Sequence, residues 1–253
     1  MTGLDKQKDR GHVLHELNVE TINGLFFCNG CKELGFGNCY KCSWVRFCNY
    51  VLHVTCLNED GTPLSNPLFK NCNFQFYQEN PLSPVVPTCR ICALHIRGRM
   101  YHCPKRKYSL HPYCATLQTT FSLPDSDMTI KLRRETKLNF FKSKCLKCDR
   151  KNRSPNDVQC LSYVSSRGNL CYHVACMKEA CRDNWNKGYF RPGSETNERS
   201  KFLALKNLAP KLELSSVGQT SEVLPITFLK LVVCAILGEP FDLIAPLFQP
   251  SRN

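Results

Sequence analysis

One pattern recurs three times along this chain: two cysteines separated by two residues, a gap, then a histidine and a cysteine separated by two. Its copies are Cys28, Cys31, His53 and Cys56; Cys89, Cys92, His111 and Cys114; and Cys145, Cys148, His173 and Cys176. The gaps between the halves are 21, 18 and 24 residues, so their length varies while the spacing inside each half does not. The closing motifs LHVTC, LHPYC and YHVAC are also alike. Repetition at this interval reads as a series of small structural units. A C-x2-C turn places two thiolates side by side, and the H-x2-C half adds a nitrogen and a third sulfur. Those four donors make the tetrahedral set that zinc takes in structural sites. All four positions are protein side chains, so none is left open for water or substrate, and such sites are structural rather than catalytic. The metal contributes folding energy that a short segment cannot draw from its own core.

Composition supports this reading. The chain has 253 residues, 18 Cys and 7 His, and 42% of its residues are hydrophobic, which suits several small modules better than one large core. The opening MTGLDKQKDRG is charged and lacks the apolar stretch of a secretory leader. The expectation is a reduced, intracellular chain, in cytoplasm, nucleus or both, in which cysteine clusters bind metal rather than form disulfides. A redox C-x-x-C would need a thioredoxin-like βαβ context, which the sequence does not offer. The net charge is +13. Between Arg97 and Arg153 there are 15 Lys or Arg against 4 Asp or Glu. Lys131, Arg133, Arg134, Lys137, Lys142 and Lys144 are the candidate anion contacts of that region. It could meet nucleic acid, lipid headgroups or an acidic protein, or simply form a solvated surface.

The first repeat holds further donors. Twelve residues separate His15 from Cys28, and Cys39, Cys42, Cys48 and Cys72 fall inside or after the repeat. His15, FFCNGCKELGFG (Phe26 to Gly37), Tyr40-Lys41-Cys42 and CNYVLHVTC (Cys48 to Cys56) together resemble the plant Cys/His-rich C1-like zinc fingers, the DC1 domains. NPLFKNCNFQF, YHCPKRKYSLHPYC and YHVACMKEA extend the likeness to a linking segment and two further modules, from His15 to about Trp185. The resemblance implies a C1-like fold with two interleaved zinc sites in the first module. One would take Cys28, Cys31, His53 and Cys56, and the other His15, Cys42, Cys48 and Cys72. The chain departs from the family where its second C-x2-C becomes C-x5-C, with Val45 at the expected cysteine, and Cys39 offers an alternative pairing with Cys42. In the second module Asn66 stands for the leading His and Arg106 for a Cys, and neither replaces a zinc ligand well. The expected cofactor is Zn2+, three or four per chain.

The fold class that follows is a tandem of small zinc-stabilised α+β modules with short strands and a short helix, plus an apolar C-terminal helical segment. The expected modules span 12–72, 73–124 and 125–186, followed by a flexible polar linker at 187–222 and an apolar tail at 223–253. Strands are expected at Phe74–Tyr77, Met100–His102 and Leu138–Phe141, and a helix at Cys176–Asn186. The apolar run from Ile226 to Gly238 is 13 residues, is interrupted by Lys230 and is too short to span a bilayer. It could dock on the modules, pair with another chain or lie on a membrane. No nucleophile elbow, P-loop, HExxH or GxGxxG occurs, so a non-enzymatic role with no small-molecule substrate is expected. The resemblance implies a plant signalling or stress and hormone-response protein acting through protein partners. Lipid binding of the diacylglycerol type and nucleic-acid binding are the alternatives.

Overall fold

The computed structural model describes residues 7–9, 12–44, 48–57, 61–122, 127–134, 143–189, 198–210 and 220–237. Three four-stranded antiparallel sheets organise it, one for each repeat. The chain divides into two compact units: residues 1–90 with 94–116, and residues 91–93 with 117–253.

The first sheet runs β1 (Gln7–Asp9), β2 (His12–Phe27), β3 (Leu34–Cys42) and β4 (Val51–His53), in that spatial order. The β2–β3 ladder runs from Leu17 opposite Cys42 to Phe27 opposite Leu34, with a register shift between Ile22 and Leu25. The connection it leaves, 28–33, is the first C-x2-C knuckle. Cys39 pairs with His53 across β3 and β4, which carries the histidine over that knuckle. One 3-10 turn (Val54–Cys56) then brings Cys56 back toward it.

The second sheet has the order β5 (Leu64–Ser65), β6 (Asn73–Tyr77), β7 (Met100–Cys103) and β8 (Tyr108–Leu110), and a one-turn helix α1 (Pro112–Ala115) follows His111. β6 and β7 fall on the two strands expected there. Because β5 pairs with β6, the second module's sheet begins at Leu64, ahead of the expected boundary at 73.

In the second unit the order is β12 (Cys171–His173), β11 (Ser162–Ser165), β10 (Thr129–Arg133) and β9 (Thr120–Ser122). β9 lies before residue 125, so this sheet also starts earlier than the expected module. The expected strand at Leu138–Phe141 lies outside the described residues. The expected helix is present as α2 (Val174–Asn186).

The expected flexible linker at 187–222 contains a helix, α3 (Glu198–Leu208). Its polar composition hides an apolar face: Ala204, Leu208 and Ala209 are buried. Side-chain amides fasten it to α2, since Asn184 Nδ2 donates to Ala204 O at 3.1 Å and Asn207 Nδ2 to Asn184 Oδ1 at 2.8 Å. The apolar tail forms α4 (Thr220–Leu237), which packs on α2 and buries Phe228, Leu229, Val232, Val233, Ile236 and Leu237. Of the fates open to the tail, docking on the third module is the one observed for 220–237. Among the described residues no helix is long and apolar enough to cross a membrane.

Candidate metal centres

The three C-x2-C knuckles share one backbone. The amide of the first cysteine donates to the carbonyl five residues on, at 2.9 Å each: Cys28 to Glu33, Cys89 to Leu94, Cys145 to Arg150. The fourth residue after that cysteine has positive φ in every case: Lys32 (63°), Ala93 (59°) and Asp149 (60°). This tight turn points the cysteine sulfurs to one side. The H-x2-C halves also share a plan. The histidine is the last extended residue before a helical turn, with φ of −58°, −61° and −67° for His53, His111 and His173. The cysteine three residues on is therefore brought back toward the histidine ring.

These turns bring together Cys28, Cys31, His53 and Cys56; Cys89, Cys92, His111 and Cys114; and Cys145, Cys148, His173 and Cys176, with the donor atoms of each quartet within 4.8 Å of one another. All are buried except the half-buried Cys148. His53 Nδ1 lies 3.2 Å from Cys31 Sγ and 3.7 Å from Cys56 Sγ. His173 Nδ1 lies 3.3 Å from Cys148 Sγ and 3.5 Å from Cys176 Sγ, and His111 Nδ1 lies 3.7 Å from Cys114 Sγ. A tetrahedral zinc with Zn–S near 2.3 Å and Zn–N near 2.0 Å separates its donors by about 3.5–3.8 Å. The donor set fits zinc in number, type and spacing.

Electrostatics give a second test. Burial raises the Cys28 thiol, but hydrogen bonds with Cys31, Cys56 and His53 outweigh it and hold the thiol well below its usual range. Burial pushes Cys31 up, and Cys56 further still. In the third quartet the hydrogen bond with Cys176 draws Cys145 down to about 3. The same bond, with burial, drives Cys176 far upward. A buried set of three sulfurs that favours one thiolate at a time needs a cation before all three can ionise.

The outer ring nitrogen of two of the three histidines is held by a hydrogen-bond partner, as a metal ligand favours, whereas His53 Nε2 is buried without one. His173 Nε2 lies 3.0 Å from Lys151 O. His111 Nε2 lies 3.2 Å from His95 O and 3.3 Å from Glu33 Oε1, so the first repeat supplies a carboxylate to the second repeat's ligand. The relation is reciprocal. Tyr113 of the second repeat stacks on the His53 ring with centroids 5.0 Å apart, and Arg99 Nη1 donates to Cys56 O at 2.9 Å. In the third repeat Arg153 Nη1 donates to Cys176 Sγ at 2.8 Å and Nη2 pairs with Glu179. Glu33, Arg99 and Tyr113 reach a ligand from the other repeat, and no spacing in the sequence marks them.

A fourth group forms on the first sheet. His12 Nε2 lies 3.3 Å from both Cys42 Sγ and Cys48 Sγ, and its ring stacks on Tyr50 with centroids 4.3 Å apart. The histidine brought here is His12 and not the expected His15, whose side chain lies outside the described residues. Cys42 and Cys48 meet as expected, whereas the alternative Cys39 turns its thiol to Glu20 O at 3.5 Å.

Cys72 does not join this group. It is hydrogen-bonded to Cys103 in the second repeat, because it leads directly into β6, whose ladder with β7 ends near Cys103. Asn66 is a turn residue instead of a ligand: its Oδ1 accepts from Leu68 N at 3.0 Å and its Nδ2 donates to Ala115 O at 2.9 Å. His102 Nδ1 lies 3.0 Å from Ser109 Oγ, and burial lowers its pKa.

Of the candidate anion contacts, Lys131 and Arg133 alternate along β10 with the buried Ile130 and Leu132, which sets them on the outward face. Arg134 donates to Gln159 O at 3.3 Å, and Lys144 faces Asp149 at 3.8 Å. Lys137 and Lys142 lie outside the described residues.

No curated protein and no solved structure matches the chain. Residues 10–57, which carry the first quartet and the His12 group, match the family model of the C1 domain. The first repeat is thus a C1-like zinc-finger module, and its quartet recurs twice further along the chain.

Proposed function

We propose that the chain is an intracellular zinc-binding interaction protein of the DC1 type, a plant signalling or stress and hormone-response factor that works by holding protein partners. The observation that carries the reading is the closure of the quartets: each has four protein donors, so zinc there braces a fold and leaves no coordination position for chemistry. Four further features agree with a scaffold: the ligands are buried, His53 and His111 are each contacted by the neighbouring repeat, α4 is docked, and charged residues face outward on β10. The test is capture of partners on zinc-loaded protein, run beside chelator-treated protein and a His111→Ala variant. Partners retained only by the loaded wild-type chain support the reading. Partners retained equally by all three place binding outside the braced modules and overturn it.

One observation favours a second reading, attachment to a membrane surface. Trp44, two residues from Cys42, is 58% exposed beside the His12 group. An exposed tryptophan near a rigid metal-braced edge suits the polar–apolar boundary of a bilayer. Flotation of the zinc-loaded chain with liposomes, with and without diacylglycerol, separates the two. The partner-binding reading expects no diacylglycerol-dependent flotation. Flotation that requires diacylglycerol and is lost in Trp44→Ala would favour the membrane.

A further inference from the structure

The second repeat keeps the backbone of a second knuckle without its metal set. Cys103 pairs with Tyr108 across β7 and β8, and Lys107, four residues after Cys103, has φ 53°, as at the other three knuckles. The position where a knuckle would carry its second sulfur is Arg106. Cys72, which leads into the neighbouring strand β6, is hydrogen-bonded to Cys103. Both thiols are free and both line one open cavity of about 950 Å³, together with Lys70, Lys105 and Arg106. The dithiol belongs to none of the four metal groups.

Two adjacent thiols at the wall of a cavity can be reached by a small oxidant, whereas the quartet sulfurs are occupied once zinc is bound. Lys70, Lys105 and Arg106 around the cavity supply positive charge that stabilises negative charge on a leaving oxygen. Burial and the neighbouring Cys103 raise the Cys72 thiol above its usual value and Arg106 acts the other way, so the reaction draws on the small thiolate fraction. We propose that Cys72 and Cys103 form a reversible disulfide that responds to hydroperoxides and is independent of the zinc sites.

The chemistry balances as a two-electron exchange. A thiolate of the pair attacks the O–O bond of a hydroperoxide. The distal oxygen joins sulfur as a sulfenic acid, and the remaining oxygen leaves as alcohol, or as water from hydrogen peroxide. The second thiol then displaces the sulfenic hydroxyl as water and the S–S bond closes. Both sulfurs are oxidised and the peroxide is reduced. A dithiol reductant of the thioredoxin class reverses it by thiol–disulfide exchange. Cys72 immediately precedes β6 and Cys103 ends β7, its partner strand, so the two thiols reach one cavity wall from neighbouring strands.

The experiment treats the zinc-loaded full chain with hydrogen peroxide in rising equivalents, blocks free thiols by alkylation and maps linked peptides by mass spectrometry, while a chromogenic chelator follows zinc release. The expected result is a Cys72–Cys103 linked peptide that accumulates before zinc leaves and disappears on treatment with a dithiol. Cys72→Ser and Cys103→Ser should each abolish that peptide at unchanged zinc content, and the remaining thiol should stop at a sulfenic acid trapped by dimedone. Zinc release while Cys72 and Cys103 are still alkylated overturns the proposal, and so does a linked peptide that pairs either cysteine with a quartet residue.

Discussion

Arg99→Met should uncover how strongly the first two repeats are joined. Arg99 Nη2 lies 2.6 Å from both Asp9 Oδ1 and Asp9 Oδ2, and Nη1 donates to Cys56 O. Tyr50 OH completes the cluster by donating to Asp9 Oδ2 at 2.7 Å. The side chains of Arg99 and Asp9 are only 5% and 1% exposed, so water screens the pair little. Methionine keeps most of the length of the stem but leaves the buried Asp9 carboxylate without its cation, with the Tyr50 hydroxyl still donating to it. Removing one partner of a buried ion pair costs about 3–5 kcal/mol, more than about a hundredfold in the folding equilibrium. The double variant Asp9→Leu/Arg99→Met leaves no buried charge and should cost much less than the sum of the two single changes. Urea unfolding of zinc-loaded protein, read by Trp44 emission in a Trp185→Phe background, measures all three. A loss below about 1 kcal/mol for Arg99→Met, or strict additivity in the double variant, would refute the account, because both are the behaviour of exposed pairs.

Three other outcomes follow from the same geometry. A Cβ at Gly35 would sit 2.3 Å from His53 Nε2 and 2.7 Å from Phe26 Cζ, so Gly35→Ala must displace a ligand ring. It should lower zinc occupancy by one per chain, read by metal analysis, while the third quartet is unaffected. Phe228 is fully buried and stacks on Tyr172 with centroids 5.7 Å apart. Phe228→Ala should cost about 3–5 kcal/mol in the second unit and free α4 to proteolysis; unchanged protease resistance would count against the docking. Cys31, Cys56 and Cys176 are pushed above the usual thiol range in the metal-free chain, so they are protonated at neutral pH and must release protons when zinc binds. Zinc affinity should therefore rise with pH, and a dye in weak buffer should record acid release on zinc addition. Zinc uptake with no proton release would mean that other atoms hold the metal.

The quartets were legible because their information is local. Two residues between cysteines force a knuckle, and two between His53 and Cys56 place both on one helical turn. The leading histidine expected from spacing, His15, was not decided locally: the β2–β3 ladder ends at Leu17 opposite Cys42, and it is His12, paired with Asp9 of β1, that lies beside Cys42 and Cys48. Cys72 follows the first repeat in sequence, but strand pairing carries it to Cys103 in the second. The helix α3 was missed because its segment is polar by count, while Ala204 and Leu208 form the face that packs. The tail's apolar run was visible, but its surface on α2 exists only once the third quartet has set α2 in place. Glu33, Arg99 and Tyr113 support ligands from another repeat, and nothing in their immediate sequence points there.

The most direct test of the central claim is the zinc content of the purified reduced chain, by native mass spectrometry alongside elemental analysis, before and after His53→Ala, His111→Ala and His173→Ala. The account expects at least three zinc ions per chain, a fourth if the His12 group is filled, and the loss of one ion with each substitution. Fewer than three ions, or quartet cysteines joined as disulfides, would contradict it.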